Sequence, residues 1–276
     1  MGLFKDFEII IVNDGSSDHS IDIIKEYVQR YPQIISCIDQ KNQGVIDARN
    51  NGISQATGEY IFPLDGDDKI TPTCLEKLYD AIKNGKGDVI HSNATFFGAR
   101  NGESNPPEPT KYNMLCGNCV HASALFRKED WERYGGYDRI MRGGWEDWEF
   151  WLNFIEENKT FFKINEPLLL YRISNLSRNS LLNKSKIRKL KWIAFKKHKR
   201  LLLAKIGYFF YYRKITRRGW LLIKICKIPI PVDVEHGDNN VKYRIHKIPL
   251  TVFEVENKKG KRIYKVFGIP CFFRNN

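Results

Sequence analysis

Residues 7–18 read FEIIIVNDGSSD, an isoleucine-rich apolar run from Phe7 to Val12 that breaks at once into Asn13-Asp14-Gly15. A short, uninterrupted apolar run ending in a turn suits a central strand of a parallel sheet, where both faces are buried. The pattern recurs outward from it. Asp18 or Ser20 can cap a helix whose inward stripe is Ile21, Ile24 and Val28, and Pro32 stops it. Ile34–Ile38 reads as a second strand, and Asn42-Gln43-Gly44 as a turn before a helix from about Val45 to Thr57. Tyr60–Leu64 is a third strand, and it runs straight into Asp65-Gly66-Asp67-Asp68. Thr71-Pro72-Thr73 opens a helix with Leu75, Leu78 and Ile82 inward, and Asp88–Ser92 is a fourth strand. Strand alternating with helix predicts a doubly wound α/β domain with a mostly parallel sheet and helices on both faces.

Further along, 98–118 is rich in Gly, Asn and Pro and reads as a loop, of the kind that serves as a lid or an acceptor-binding segment. Ala122–Phe126 is a strand candidate, Lys128–Tyr134 a short helix, and Gly135-Gly136 a stop. Trp145-Glu146-Asp147-Trp148 opens a helix with Trp148, Leu152 and Ile155 inward, and Phe161–Ile164 and Leu168–Tyr171 read as two more strands.

Charge divides the chain. The net value of +13 averages an acidic stretch, residues 1–166 with 18 Lys/Arg against 27 Asp/Glu, and a basic one, residues 167–276 with 27 against 5. This asymmetry predicts an acidic catalytic half and a basic half that meets an anionic partner. No signal peptide opens the chain, and its longest apolar stretch, Leu201 to Tyr212, is 12 residues and holds Lys205. A membrane span needs about 20. The six scattered cysteines are expected to be reduced, and Cys116-Gly-Asn-Cys119 lacks the second pair that a structural zinc site needs, so it reads as an ordinary loop.

Three acidic signatures carry the chemistry. Asp65, Asp67 and Asp68 follow a strand, and alternate positions 65 and 67 can point one way, offering hard oxygen ligands to Mg²⁺ or Mn²⁺ against a diphosphate. Taken alone, such a cluster is equally a turn that caps the next helix. Asp147 is a candidate general base for an acceptor hydroxyl, although Glu146 and Asp147 also suit a helix first turn through its dipole. Asp14 can accept a hydrogen bond from a nucleobase imide N–H, or simply belong to the Asn-Asp-Gly turn.

The series VNDGSSD, Asn42-Gln-Gly44 with Ala48-Arg49-Asn50-x-Gly52, GEYIFPLDGDD, Gly135-Gly136-Tyr137-Asp138 and WEDW, over about residues 5–180, resembles glycosyltransferase family 2, the inverting type with the GT-A fold. The resemblance implies a nucleotide-diphospho-sugar donor, usually UDP-linked, and a divalent cation. It implies that Asp14 and Arg49 contact the nucleotide, Asp65 the ribose or sugar, Asp67 the metal with Asp68 in support, and that Asp147 is the catalytic base. Glu146 and Arg172 join the donor-binding set, Tyr171-Arg172 with Ser177 closing over the diphosphate. Ser174 stands where relatives often carry a metal-completing histidine. Relatives also begin with a strand ending in Pro-x-Tyr-Asn and a helix, and Met1-Gly-Leu-Phe-Lys5 resembles the tail of that helix. The expectation is therefore a transferase domain, 1–180, that lacks its first strand and helix.

Residues 181–219 form the second expected segment. Lys184–Arg218 mixes 14 Lys/Arg with Trp192, Phe195, Tyr208, Phe209 and Phe210, and reads as basic amphipathic helix suited to an anionic membrane surface. Packing on the acidic half is the rival use. Nucleic acid is not expected, because no recognition motif accompanies the charge. In 220–276, Ile225-Cys-Lys-Ile-Pro229, Ile245-His-Lys-Ile-Pro249 and Val266-Phe-Gly-Ile-Pro270 repeat at 20- and 21-residue spacing, which predicts three β units. The whole reads as a metal-dependent glycosyltransferase that passes a sugar to a glycan or lipid-linked acceptor. Its place would be the cytoplasmic face of a bacterial plasma membrane, in surface-polysaccharide synthesis. The alternative is a non-catalytic transferase domain serving as a membrane- or complex-binding module.

Overall fold

The computed structural model describes residues 6–174 and 183–201, and beyond them the strands between 220 and 271. Met1–Lys5, Ser177 and residues 202–218 of the basic stretch lie outside the described residues. The chain divides into two units, Met1–Leu202 and Leu203–Asn276.

In the first unit FEIIIVND supplies β1 (Ile9–Asp14), which pairs in parallel with β2 (Ile35–Gln40), Val12 opposite Ile38 and Asp14 opposite Gln40. The run is not the central, doubly buried strand its apolar character predicts, since among the described residues it pairs with β2 alone and only Asn13 of it is buried. Helix α1 (Ser20–Arg30) connects them, and α2 (Val45–Gln55) follows β2. The next strands are β3 (Tyr60–Ile61), β4 (Lys69–Ile70), β5 (Val89–Gly98), β6 (Gly102–Ser104), β7 (Leu125–Arg127) and β8 (Phe161–Ile173). They form a second sheet in the order β3-β7-β5-β8-β4, with β6 pairing β5. In it only β5 and β8 run parallel, and β3–β7, β5–β7, β4–β8 and β5–β6 are antiparallel. The sheet is thus more mixed than alternation of elements suggests, since alternation gives element order and not strand sense.

Helix α3 (Cys74–Lys83) covers this sheet with Leu78 and Ile82 of the expected stripe, but Cys74 and Ala81 complete the buried face and Leu75 lies at its edge, half-buried. Cys74, Leu78, Ala81 and Ile82 pack with Ile90, Leu125 and Leu168, flanked by Phe62, Phe162 and Ile164. Each buried leucine and isoleucine of the cluster contributes roughly 1.5–3 kcal/mol of transfer free energy. The segment read as a loop at 98–118 holds β6 and a short helix, α4 (Lys111–Cys116). Thr110 caps α4 by accepting from the Asn113 N–H, and Met114 and Leu115 are buried under it. Six residues are too few for helical periodicity to show in sequence. The two strands expected at 161–171 are one, β8, with a register irregularity opposite Ser92–Ala94 where Pro167 cannot donate to the ladder.

After α5 (Lys128–Tyr134), Asp138 caps a 3-10 turn, Arg139–Met141, and α6 (Glu146–Glu156) follows. Eight of its eleven residues are buried, so α6 lies inside the unit rather than along its surface. Phe150, Trp151 and Phe154 all meet the Phe126 ring at 5.2–6.2 Å between centroids. The basic stretch begins as α7 (Lys184–Lys197) and belongs to this unit. Leu190, Ala194 and Phe195 are buried, with Phe195 edge-on to Trp148 at 5.5 Å. The buried His198 bridges Glu149 (2.9 Å) and Glu156 (2.8 Å) of α6, and Lys197 pairs with Glu149 at 2.8 Å. Among the described residues no helix is long and apolar enough to cross a membrane.

The second unit is an antiparallel sheet in chain order: β9 (Trp220–Ile225), β10 (Ile228–His236), β11 (Asn240–Ile245), β12 (Thr251–Lys258), β13 (Lys261–Val266) and β14 (Ile269–Cys271). Each repeat motif begins at the last residue of a strand whose antiparallel partner follows it in the chain: Ile225 ends β9, Ile245 ends β11 and Val266 ends β13.

Candidate active site

The last residue of β1 begins the site. Asp14 Oδ1 accepts from Gln40 Nε2 and the Gln43 N–H, and Oδ2 from the Gly44 N–H, each at 2.8 Å. Burial pushes this carboxyl up, but the three donors together hold it below the usual carboxylate range. Asp14 therefore organises the 42–44 turn. Gly15 permits the close approach: its φ is +72°, and a Cβ there would sit 2.8 Å from the Asn42 nitrogen.

From α2, Arg49 reaches across the unit. Its Nη2 donates to Asp65 Oδ1 at 2.6 Å and its Nη1 to Glu146 Oε1 at 3.0 Å, with its guanidinium 5.6 Å from the centroid of the buried Tyr137 ring. Although burial opposes its charge, Asp65, Tyr137 and Glu146 hold Arg49 firmly protonated. One planar fork thus fixes the loop after β3 to the first turn of α6.

Asp68 donates its N–H to the Asp65 carbonyl, closing the acidic turn. β8 clasps it: the Arg172 N–H donates to Asp68 Oδ1 at 2.8 Å and Arg172 Nε to the Asp67 carbonyl at 3.0 Å. Burial, with Asp65 and Asp67 nearby, pushes Asp68 up to about 6. Asp67 is exposed. Among the described residues no three His, Cys, Asp or Glu converge as a metal cage.

Asp147 lies in the first turn of α6, reached through Gly143, Gly144 and Trp145 at φ +123°, +126° and +65°. Its Oδ1 accepts from the Trp148 N–H at 2.7 Å and its Oδ2 from Asn118 Nδ2 at 2.8 Å. Burial and the adjacent Glu146 push it up to about 6, despite Arg49. A carboxylate poised there can accept a proton near neutral pH.

A cleft of about 1100 Å³ is lined by Asp14, residues 42–46, Asp65–Asp67, Arg142, Gly143, Tyr171, Arg172 and Ser174. Asp14, Asp65, Asp67 and Arg172 of the expected set face it, whereas Arg49, Asp68, Glu146 and Asp147 are not on its lining. Sequence reasoning did not single out Asn118 or Arg142. Arg142 is held by the fully buried Asp47, Nη2 to Oδ2 at 2.6 Å, and first through that bond Asp47 lies well below the usual carboxylate range. An acid one turn into α2 and a basic residue before WEDW carry no local sign of pairing. Asn118 lies between Cys116 and Cys119, where the cysteine spacing is the one recognisable pattern and a lone asparagine carries none.

The model of the Glycosyl transferase family 2 family matches residues 3–135. The uncharacterized glycosyltransferase YibD of Escherichia coli (strain K12) is 36% identical over 128 residues, 46% of this chain and 35% of that protein. The uncharacterized glycosyltransferase MJ1057 of Methanocaldococcus jannaschii is 32% identical over 196 residues, 67% of this chain and 66% of that one. The chain thus spans from about a third to about two thirds of the length of these relatives. Among solved structures, S. aureus TarS 1-349 in complex with UDP-GlcNAc superposes with a TM-score of 0.59 at 17% identity, over 78% of this chain and 67% of that one. At that identity the likeness is one of fold.

Proposed function

This chain belongs to glycosyl transferase family 2, with the GT-A fold, through the match at residues 3–135 together with the 32% identity to MJ1057 over 196 residues, and from that premise we propose that it moves one sugar, with inversion, from a nucleotide-diphospho-sugar to a glycan or lipid-linked acceptor. The observation that carries the reading is the Arg49 fork, which holds Asp65 of the donor cleft and Glu146 beside Asp147 in one fixed frame. The solved complex of TarS with UDP-GlcNAc supports a UDP-linked donor.

In this mechanism Asp14, Asp65 and the 42–44 turn hold the nucleotide and ribose, and Arg172 and Arg142 face the diphosphate. Asp147 takes the acceptor hydroxyl proton as that oxygen bonds to the anomeric carbon. The bond from that carbon to the diphosphate oxygen breaks, and its electron pair leaves with the diphosphate. Asp67 and Asp68 fit a divalent cation, Mg²⁺ or Mn²⁺. Three carboxylates fall within four residues, a set of hard oxygen donors that suits such an ion, and burial with the neighbouring Asp65 and Asp67 raises Asp68. When bound, that ion would neutralise charge on the leaving diphosphate.

The outer face of α7 supports a membrane partner. Trp192 is 52% exposed among the exposed Arg188, Lys189 and Lys196. An aromatic ring set among cations suits an anionic lipid surface, which would place the cleft beside a lipid-linked acceptor on the inner face of the plasma membrane, in cell-surface polysaccharide synthesis.

The test is a thermal-shift panel of UDP, GDP, CDP and dTDP, each with and without Mn²⁺, on the wild type and Asp67→Ala. One nucleotide should raise the melting temperature in a Mn²⁺-dependent way, and Asp67→Ala should lose that dependence. No shift with any nucleotide, from a protein that melts cooperatively, would overturn the donor-site reading.

A further inference from the structure

We propose that Asn118 is the positioning residue of the base, and that the Cys116–Cys119 loop exists to present its amide to Asp147. The proposal rests on Asp147 being the base of the reaction above. Asn118 is held at both ends. Its Oδ1 accepts the Val120 N–H at 3.1 Å, which leaves its Nδ2 to donate to Asp147 Oδ2 at 2.8 Å. The backbone bond settles which end of the amide faces the carboxylate, because the opposite orientation would set an NH₂ against an N–H. With the Trp148 N–H on Oδ1, the two donors fix both the plane of the carboxylate and its rotation about the side-chain axis.

The loop that carries Asn118 is braced from elsewhere. Lys191 of α7 donates to the Cys116 carbonyl at 2.9 Å, and its ammonium lies 4.5 Å from the Trp145 ring centroid. Cys119 is buried and points its thiol at the Gly117 carbonyl, and both cysteines are free. The C-x-x-C pattern is thus a tight loop with an asparagine at its tip, and the basic helix holds it in place.

What Asn118 does to Asp147 follows from charge. The groups facing Asp147 are Glu146 on its own helix, Arg49 from α2, Asp65 from the loop after β3, Tyr137 from before the 3-10 turn and Tyr171 from β8. Glu146 and Asp65 disfavour ionisation, as does burial, and Arg49 opposes them. An amide donor favours the charged form, so Asn118 acts in the same direction as Arg49 and the Trp148 N–H, towards the ionised base.

The test reads the base directly. The full chain is labelled with ¹³Cγ-aspartate, the Asp147 signal is identified by its loss in Asp147→Asn, and its titration is followed in wild type, Asn118→Ala and Asn118→Asp. The Asp147 midpoint should rise by about one pH unit in Asn118→Ala, from the loss of one hydrogen bond to the charged form. It should rise further in Asn118→Asp, where a like charge of the same shape replaces the donor. Affinity for UDP with Mn²⁺ should stay within about twofold, since Asn118 does not line the donor cleft. An unmoved midpoint in both variants overturns the proposal. If Asn118→Ala fails to fold, the isosteric Asn118→Asp decides alone. Failure of the broader reading looks different: no nucleotide binds the wild type, whatever Asp147 does on titration.

Discussion

Arg49 and Glu146 meet at 3.0 Å from positions 97 residues apart, with the arginine side chain 9% exposed and the glutamate 2%. A buried pair of this kind contributes little net stability, but its loss is costly because the partner keeps its charge in the interior. Arg49→Met should therefore lower stability by about 3 kcal/mol and also weaken nucleotide binding, because Asp65 loses its anchor. Arg49→Lys should recover part of the stability and little of the binding, since an ammonium cannot grip two carboxylates as a fork does. Denaturant melts and nucleotide titrations separate the two effects.

Asp147→Asn should reduce transfer by about 10²-fold or more and leave UDP affinity nearly unchanged. The wild-type rate should fall on the acid side with a midpoint near 6. The base works only when ionised, so activity is present above that pH and lost as pH falls through it. Transfer rates from pH 5 to 8 check this, and a rate that stays level to pH 5 removes Asp147 from the role.

A second acid-side effect concerns the fold alone. His91 is fully buried on β5, and neither ring nitrogen has a hydrogen-bond partner among the described residues. Burial holds its pKa down to about 3. The unfolded chain takes up this proton near 6.5 while the folded one resists, so stability falls as pH drops below about 6.5, by up to about 1.4 kcal/mol per pH unit from this group. His91→Leu should flatten the slope of melting temperature against pH between 6.5 and 4. An unchanged slope would assign acid sensitivity elsewhere.

Trp192→Ala with Arg188→Glu and Lys189→Glu should release the protein from vesicles containing anionic lipid, while the melting temperature moves little. All three side chains are exposed, so the fold does not depend on them. Vesicle flotation at two salt concentrations measures it, and retention of the triple variant would place the contact on another surface.

Much of the fold was legible because it depended on local signals. FEIIIVND and the stripe of α3 announce themselves by apolar runs and by period, and Lys128–Tyr134 is bounded by Gly135-Gly136. Strand sense was not legible, because the antiparallel pairing of β7 with both β3 and β5 depends on where distant segments return. In the site, Asp14, Asp65, Asp67 and Arg172 could be named from motif order, and the structure brings them to one cleft. The partners that hold the site could not. Asn118 to Asp147, Asp47 to Arg142 and Lys191 to Cys116 span 29, 95 and 75 residues, and each is a polar contact between residues with no shared pattern.

The docking of α7 sets where this protein can be shortened for expression. A cut near residue 180, the expected end of the transferase domain, would strip Phe195 from Trp148 and leave Glu149 buried without His198 and Lys197. It would also take away the lysine that steadies the loop over Asp147. The trimming point that respects the molecule lies after Leu201, so the first eighteen residues of the basic stretch, 184–201, travel with the enzyme and cannot be discarded as a tail.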